Sequence, residues 1–411
     1  MMEKKSFWFA LKSNVYVEFK EKRILLYDTK FGENIETEQE ENIALIVRLY
    51  EPENLGVILI QDELQTDVGV FIHEIIDKKM GDLINIKENL PKPVRLVPIL
   101  NLQKDIDKHR QHEDKRIFLG KNISKYLLEI NIYLNATCEN TCKECMNYNK
   151  QIHCCTTNNA KEELSVENLQ VIFEQLHYFP IKKINILGGN ILKYVHLEEL
   201  CRLSALYPKV LHLYMHYENY QKHKLIDSQQ LELIVTFPIK RKKFQEIWQV
   251  VERENTQLHL IVEDEEQYYM AENLLGSFNI EKYEIHPFFN GRNLSFFEKS
   301  IFLNKEDIFS KVISMREIFR NQKLNSNFFG TLYILPDGSV KANIDTSILG
   351  NIGTDKILDI IYQELTVNTA WRVVRNSQPC SECIYQFFCP APSDYERAIG
   401  QNNLCQLKQV E

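Results

Sequence analysis

The run Leu127-Leu-Glu-Ile-Asn-Ile-Tyr-Leu134-Asn-Ala-Thr-Cys138-Glu-Asn-Thr-Cys142-Lys-Glu-Cys145 joins two patterns. Leu127–Leu134 is apolar and of strand length, so it reads as a β-strand. Cys138, Cys142 and Cys145 follow at once, spaced to sit on one tight loop. Three thiolates so placed can hold three irons of a cubane cluster and leave the fourth iron open to an outside ligand. Four would close the site, and soft thiolates are the ligands that iron–sulfur clusters require. From spacing alone, a zinc site or incidental cysteines remain alternatives.

Downstream the chain alternates strand and helix. Strands are expected at Lys183–Leu187, Val210–Tyr214, Leu231–Thr236, Gln257–Val262 and Tyr283–Phe288. One helix starts after Ser165, a good N-cap, with Val166, Leu169, Ile172, Phe173 and Leu176 on one face. Others are expected near 196–206, 240–253 and 265–276. Six β/α units imply a parallel sheet with helices outside, because parallel strands need crossover helices. Such a sheet can close partly into a barrel or stay open, and in both cases ligands sit at the carboxyl ends of the strands. The cysteine loop follows the first strand, and Leu187-Gly188-Gly189-Asn190-Ile191-Leu192 follows the second. A glycine pair there permits close backbone approach to a ligand.

Four segments are expected: 1–90, 91–125, 126–324 and 325–411. In the first, Val15–Phe19, Arg23–Asp28 and Glu33–Thr37 read as a meander, followed by helix Glu40–Tyr50, strand Val57–Ile60 and helix Asp67–Met80, with Gly81 as its terminator. The second is a charged, proline-containing linker. The fourth carries a hairpin, Thr331–Leu335 and Ser339–Ala342 about Pro336-Asp337-Gly338, then a helix at about 355–365. Its last part is rich in loops and holds Cys380, Cys383, Cys389 and Cys405. So little core can form there that metal ligation is the natural support. A closed [4Fe–4S] cluster and a four-cysteine zinc site both suit this spacing.

Composition narrows the class. Forty-nine Lys+Arg against 57 Asp+Glu give a net charge of -8, which argues against broad nucleic-acid binding. No apolar run approaches the roughly 18–20 residues of a membrane span. The apolar patch Phe7–Leu11 is too short for a signal-peptide core, so a cytoplasmic protein is expected. Ten cysteines, with none before 138 and none between 202 and 379, cluster as metal or redox ligands do in a reducing compartment. Cys154 and Cys155 read as ordinary thiols, and Cys201 as a small buried hydrophobe.

The Cys138–Cys142–Cys145 segment resembles the radical SAM superfamily. The Pro336-Asp337-Gly338 hairpin, Gly350-Asn351 and the last four cysteines are similar to the SPASM domain of peptide-modifying members. The resemblance implies an α/β fold: a partial (β/α)6 barrel, an N-terminal winged-helix-like leader-recognition module and a C-terminal auxiliary-cluster domain. It implies two [4Fe–4S] clusters. Cys138, Cys142 and Cys145 would hold the one that binds S-adenosylmethionine (SAM), and Cys380, Cys383, Cys389 and Cys405 the auxiliary one. Gly188, Gly189, Asn190 and Thr236 would contact SAM. Asn190 stands where the family has Glu and Ile191 where it has Pro. Exchanging a charge-assisted for a neutral hydrogen bond costs SAM affinity about one order of magnitude. Glu144 replaces a common aromatic residue. Met215-His216-Tyr217 and Thr236-Phe237-Pro238 also depart from the family's strand ends, and no cysteine is placed for a first auxiliary cluster. The implied activity is radical modification of a ribosomally made precursor peptide carrying a leader, with an electron donor. The Phe7-Trp-Phe9 and Ile24–Asp28 stretches look similar to pseudo-radical-SAM proteins of Bacteroidales Gly-Gly-leader systems. That group implies the alternative, a non-catalytic partner that presents precursor or relays electrons to a second maturase.

Overall fold

A computed structural model of the chain describes residues 6–86, 91–95, 123–138, 150–153, 162–207, 210–227 and 229–407. Cys142, Cys145, Glu144, Cys154, Cys155 and most of the expected linker lie outside them.

The N-terminal segment builds two small antiparallel sheets. In one, β1 (Phe7–Leu11) lies between β5 (Ile58–Ile60) and β6 (Gly81–Asn85). The other is the expected meander of β2 (Val15–Lys20), β3 (Arg23–Asp28) and β4 (Asn34–Thr37). Helices Glu40–Tyr50 and Asp67–Asp77 pack on them around Phe9, Leu26, Ile46 and Ile72. The second helix stops at Asp77, earlier than the apolar pattern suggests. Lys79 turns into the left-handed region (φ 59), and Met80 is buried in the connection rather than on the helix. Phe7–Leu11, read only as an apolar patch, is the middle strand of its sheet.

The large sheet has nine strands. β7 (Glu129–Tyr133), β8 (Lys183–Leu187), β9 (Leu211–His216), β10 (Gln230–Thr236), β11 (Thr256–Val262) and β12 (Tyr283–Pro287) neighbour one another in chain order, all parallel. Ser165 caps helix Val166–Leu176 by accepting from the Asn168 N–H at 3.1 Å. That helix, with Leu197–Ser204, Arg241–Trp248 and Glu265–Phe278, covers one face. This face buries Ile130, Ile132, Ile184, Ile186, Leu213, Leu233 and Leu260. Alternation puts the polar residues Asn131, Asn185, His212, Glu232, His259 and His286 on the opposite, inner face.

On its other flank β7 pairs in parallel with β13 (Thr331–Ile334), which forms the expected hairpin with β14 (Ser339–Lys341) and then reaches β15 (Gly350–Asn351). The hairpin thus extends the sheet across the boundary expected at 324/325. Helix Ile357–Val367 follows. The meander packs on the cysteine-bearing tail and on Phe309 ahead of it: Tyr27 stacks against Phe309 and meets Phe388 edge-on, and Lys20 Nζ donates to Ser381 O at 2.9 Å. No helix among the described residues is long and apolar enough to cross a membrane.

Candidate functional site

Four neighbouring parallel strands bring the expected residues to one end of the sheet. Beyond β7 the chain passes Asn135 and Thr137 to Cys138. Beyond β8, Gly188 takes φ +155 and Gly189 lies against that segment. The Gly189 N–H donates to Asn135 O, and the Asn190 N–H to Thr137 O at 2.5 Å. A Cβ on Gly189 would stand 2.1 Å from Thr137 O and 2.8 Å from Cys138 N. These glycines therefore admit the chain's own Asn135–Cys138 segment, a role that the sequence does not distinguish from approach to a ligand. Asn190 is buried, and its Oδ1 accepts from the Leu192 N–H at 3.2 Å, capping a short turn. Asn219, just after β9, points Nδ2 at Cys138 Sγ (3.9 Å) and at Gly189 O (3.5 Å).

His216 and Thr236 end β9 and β10. His216 Nδ1 accepts from the Glu218 N–H at 3.3 Å, so Nε2 carries the proton and donates to Thr236 Oγ1 at 3.0 Å. That bond uses a Thr236 lone pair and not its O–H. Burial pulls the His216 imidazole down to about 4, so it is neutral near pH 7.

Cys380, Cys383, Cys389 and Cys405 all line one cavity of about 360 Å³. Four thiols converging on one cavity are a donor set that suits a closed cubane cluster and a tetrahedral zinc ion alike. N–H groups reach the sulfurs: Tyr385 N to Cys383 Sγ at 3.4 Å and Asn403 Nδ2 to Cys405 Sγ at 3.2 Å. Arg375 Nη1 lies 3.9 Å from Cys380 Sγ. Arg375 is buried and paired with Glu396 at 2.6 Å. Burial pushes the Cys389 thiol up to about 12 and raises Cys380 and Cys383. These thiols stay protonated unless a bound metal takes the place of their protons. Cys201 is partly buried against the helix–sheet core.

The inner face of the sheet borders a second cavity of about 410 Å³. Across its wall, His212 Nδ1 meets Glu232 Oε1 at 2.6 Å, Glu232 Oε2 meets His259 Nε2 at 2.7 Å, and His259 Nδ1 meets His286 Nε2 at 2.8 Å. Burial pushes the Glu232 carboxyl up, but bonds from both histidines and nearby positive charge outweigh it and hold it at about 2. Burial takes His286 down to about 4, and His153, stacked edge-on against Tyr214, to about 3.

No family model and no curated protein matches the chain. Among solved structures, Streptococcus suis SuiB bound to precursor peptide SuiA superposes with a TM-score of 0.48 at 12% identity, covering 97% of this chain and 100% of that one. SuiB bound to S-adenosylmethionine gives 0.47 at 13%, with the same coverage. Native anSMEcpe with bound AdoMet gives 0.44 at 10%, covering 64% of this chain and 88% of that one. These are distant likenesses, and the chemistry of the site rests on this chain's own residues.

The structure thus brings Cys138, Gly188, Gly189, Asn190 and Thr236 to one strand-end region and the last four cysteines to one cavity. Sequence reasoning missed Asn135 and Asn219, which bind across loops, and Arg375, whose buried pair with Glu396 spans 21 residues. It also missed the inner-face histidines. Their signal was visible: His212, Glu232, His259 and His286 each stand between two apolar residues of their strands.

Proposed function

We propose that the chain is an iron–sulfur, SAM-dependent protein acting on a ribosomally made precursor peptide. The observation that carries this reading is the gathering of Cys138, the Gly189–Asn190 turn, Asn219 and Thr236 at the carboxyl ends of four adjacent parallel strands. In this reading Cys138, Cys142 and Cys145 hold the catalytic [4Fe–4S] cluster, and Gly188, Gly189, Asn190 and Thr236 contact SAM. Cys380, Cys383, Cys389 and Cys405 hold the auxiliary cluster. Such clusters supply, when bound, the electron that cleaves SAM to a radical able to abstract a substrate hydrogen. The chain's own residues do the rest. The Gly189 contact fixes the Cys138 loop, and His216 orients the Thr236 hydroxyl with its O–H available to a ligand. N–H donors and Arg375 offset negative charge on the auxiliary thiolates. The segment 1–90 is the leader-binding, winged-helix-like module, able to take an extended peptide along an open strand edge. The segment 325–411 is the SPASM-like part. The protein works in the cytoplasm with an electron donor.

One observation favours the accessory alternative, in which the chain resembles the pseudo-radical-SAM group and serves a second maturase. Asn190 brings no charge, and its oxygen is already engaged by Leu192. Anoxic purification and a SAM-cleavage assay separate the readings. About eight irons per chain and 5′-deoxyadenosine formed after reduction are expected of the enzyme. Eight irons without deoxyadenosine, with or without precursor, identify the partner. Deoxyadenosine formation that survives Cys142→Ala, or a chain that takes up no iron, overturns the assignment.

A further inference from the structure

We propose that His259 Nδ1, His286 Nε2 and the Glu284 carboxylate form a binding site for a divalent transition-metal ion of the zinc type, with Glu232 as its positioning residue. The site is separate from the cysteine chemistry, and no function proposed above uses it.

The donor set and its spacing carry the inference. His259 sits on β11, and Glu284 and His286 on β12, all facing the inner cavity. The three donor atoms lie within 4.8 Å of one another. The edges of the triangle are 2.8 Å between the two imidazole nitrogens, 3.4 Å from His286 to Glu284, and 3.8 Å from His259 to Glu284. A tetrahedral ion with bonds of 2.0–2.1 Å needs edges of about 3.3 Å. The observed edges bracket that value, and sub-ångström side-chain shifts complete the face.

The outer groups are also in place. Glu232 accepts from His259 Nε2 at 2.7 Å, so in the neutral ring the Nδ1 lone pair is the one that faces His286. A carboxylate behind a ligating histidine fixes its tautomer and raises its basicity. The other Glu232 oxygen is held by His212, so Glu232 is not itself a ligand. Without an ion, a proton must lie between His259 Nδ1 and His286 Nε2. When the ion binds, the neutral His286 ring carries its proton on Nδ1 instead, which frees the Nε2 lone pair for the ion. The His259 side chain is 9% exposed, that of His286 27% and that of Glu284 56%, so one imidazole is held inside, the second is half-buried and the carboxylate stands at the rim. A fourth position then faces the cavity.

The test uses the full chain, loaded with iron and sulfide under anoxia and equilibrated with buffered micromolar zinc, with zinc and iron measured together. Wild type is expected to retain about one more zinc per chain than His286→Gln, at equal iron. Because the difference is read, cysteine-bound zinc in both proteins cancels, and failure of the iron–sulfur reading leaves the outcome interpretable. Glu284→Gln, at the rim and safe for folding, is expected to weaken zinc binding at least tenfold. Glu232→Gln is expected to weaken it about 10–100-fold. Zinc content and affinity equal to wild type in Glu284→Gln and His286→Gln overturn the site.

Discussion

Substituting Gly189 by alanine tests the most constrained contact of the candidate site. The new methyl would lie 2.1 Å from Thr137 O and 2.3 Å from Thr137 C, where real Cβ contacts essentially never fall below 3.0 Å. Its neighbours are backbone atoms, which cannot swing away as a side chain can. One of the two segments must move by about 1 Å, breaking the Asn190 N–H bond to Thr137 O. Overpacking of this kind costs about 1–3 kcal/mol. The lost hydrogen bond adds about 1 kcal/mol. The segment that moves carries Cys138, and a displacement of about 1 Å in a reacting site costs on the order of 100-fold in rate. Denaturant unfolding should show the stability loss, iron analysis a defect in the front cluster, and the deoxyadenosine assay the loss of turnover. Gly276→Ala is the control: nothing lies within 4 Å of its Cβ, and it sits in helix Glu265–Phe278. It should stabilise by about 0.5–1 kcal/mol. If Gly189→Ala keeps wild-type stability and iron content, the close approach of the two loops is refuted.

Three further outcomes follow from buried charge. Arg375→Met leaves the Glu396 carboxylate buried without its partner and should cost about 3–5 kcal/mol in thermal or denaturant unfolding, with loss of iron from the C-terminal cavity. Glu364, fully buried, accepts from the Thr369, Ala370 and Trp371 N–H groups at 2.8–2.9 Å. Glu364→Ala should cost about 3 kcal/mol or more, since each stranded donor costs about 1–3 kcal/mol, while the control Glu272→Ala on an exposed helix face changes little. Burial raises the Asp394 carboxyl to about 6, above its unfolded value near 3.9. The folded state therefore binds that proton more tightly. Its contribution is full below about pH 4 and lost as pH rises through about 6, an effect of the order of 2–3 kcal/mol. Asp394→Asn should flatten the stability profile between pH 4 and 6, and an unchanged profile refutes the shift.

Local patterns carried most of the element assignments. The six parallel strands are short β-rich runs separated by amphipathic helices, and Ser165 caps its helix as its side chain predicts. What was not legible depends on contacts distant in sequence. Nothing in Thr331–Ile334 indicates that it pairs with Glu129–Ile132, some 200 residues earlier. Phe7–Leu11 has no strand neighbour nearby, because its partners are residues 58–60 and 81–85. In the candidate site, Cys138 and the Gly188–Gly189 pair stood out in the sequence because their residue types and spacing are distinctive, and the structure sets them side by side. Asn219 and Arg375 did not, since amides and guanidinium groups occur everywhere and only folding aims these two at sulfur.

The pairing of β13 with β7 has a consequence for dissecting the protein. β7, which leads into Cys138, has β8 on one side and β13 on the other. A truncation before residue 325 would strip hydrogen-bond partners from an inner strand and present its apolar ladder as a sticky seam, prone to pair with other copies. Shortened versions should therefore precipitate rather than yield a free-standing front half, and chimaeras that exchange the tail need to keep the native chain through Asn351.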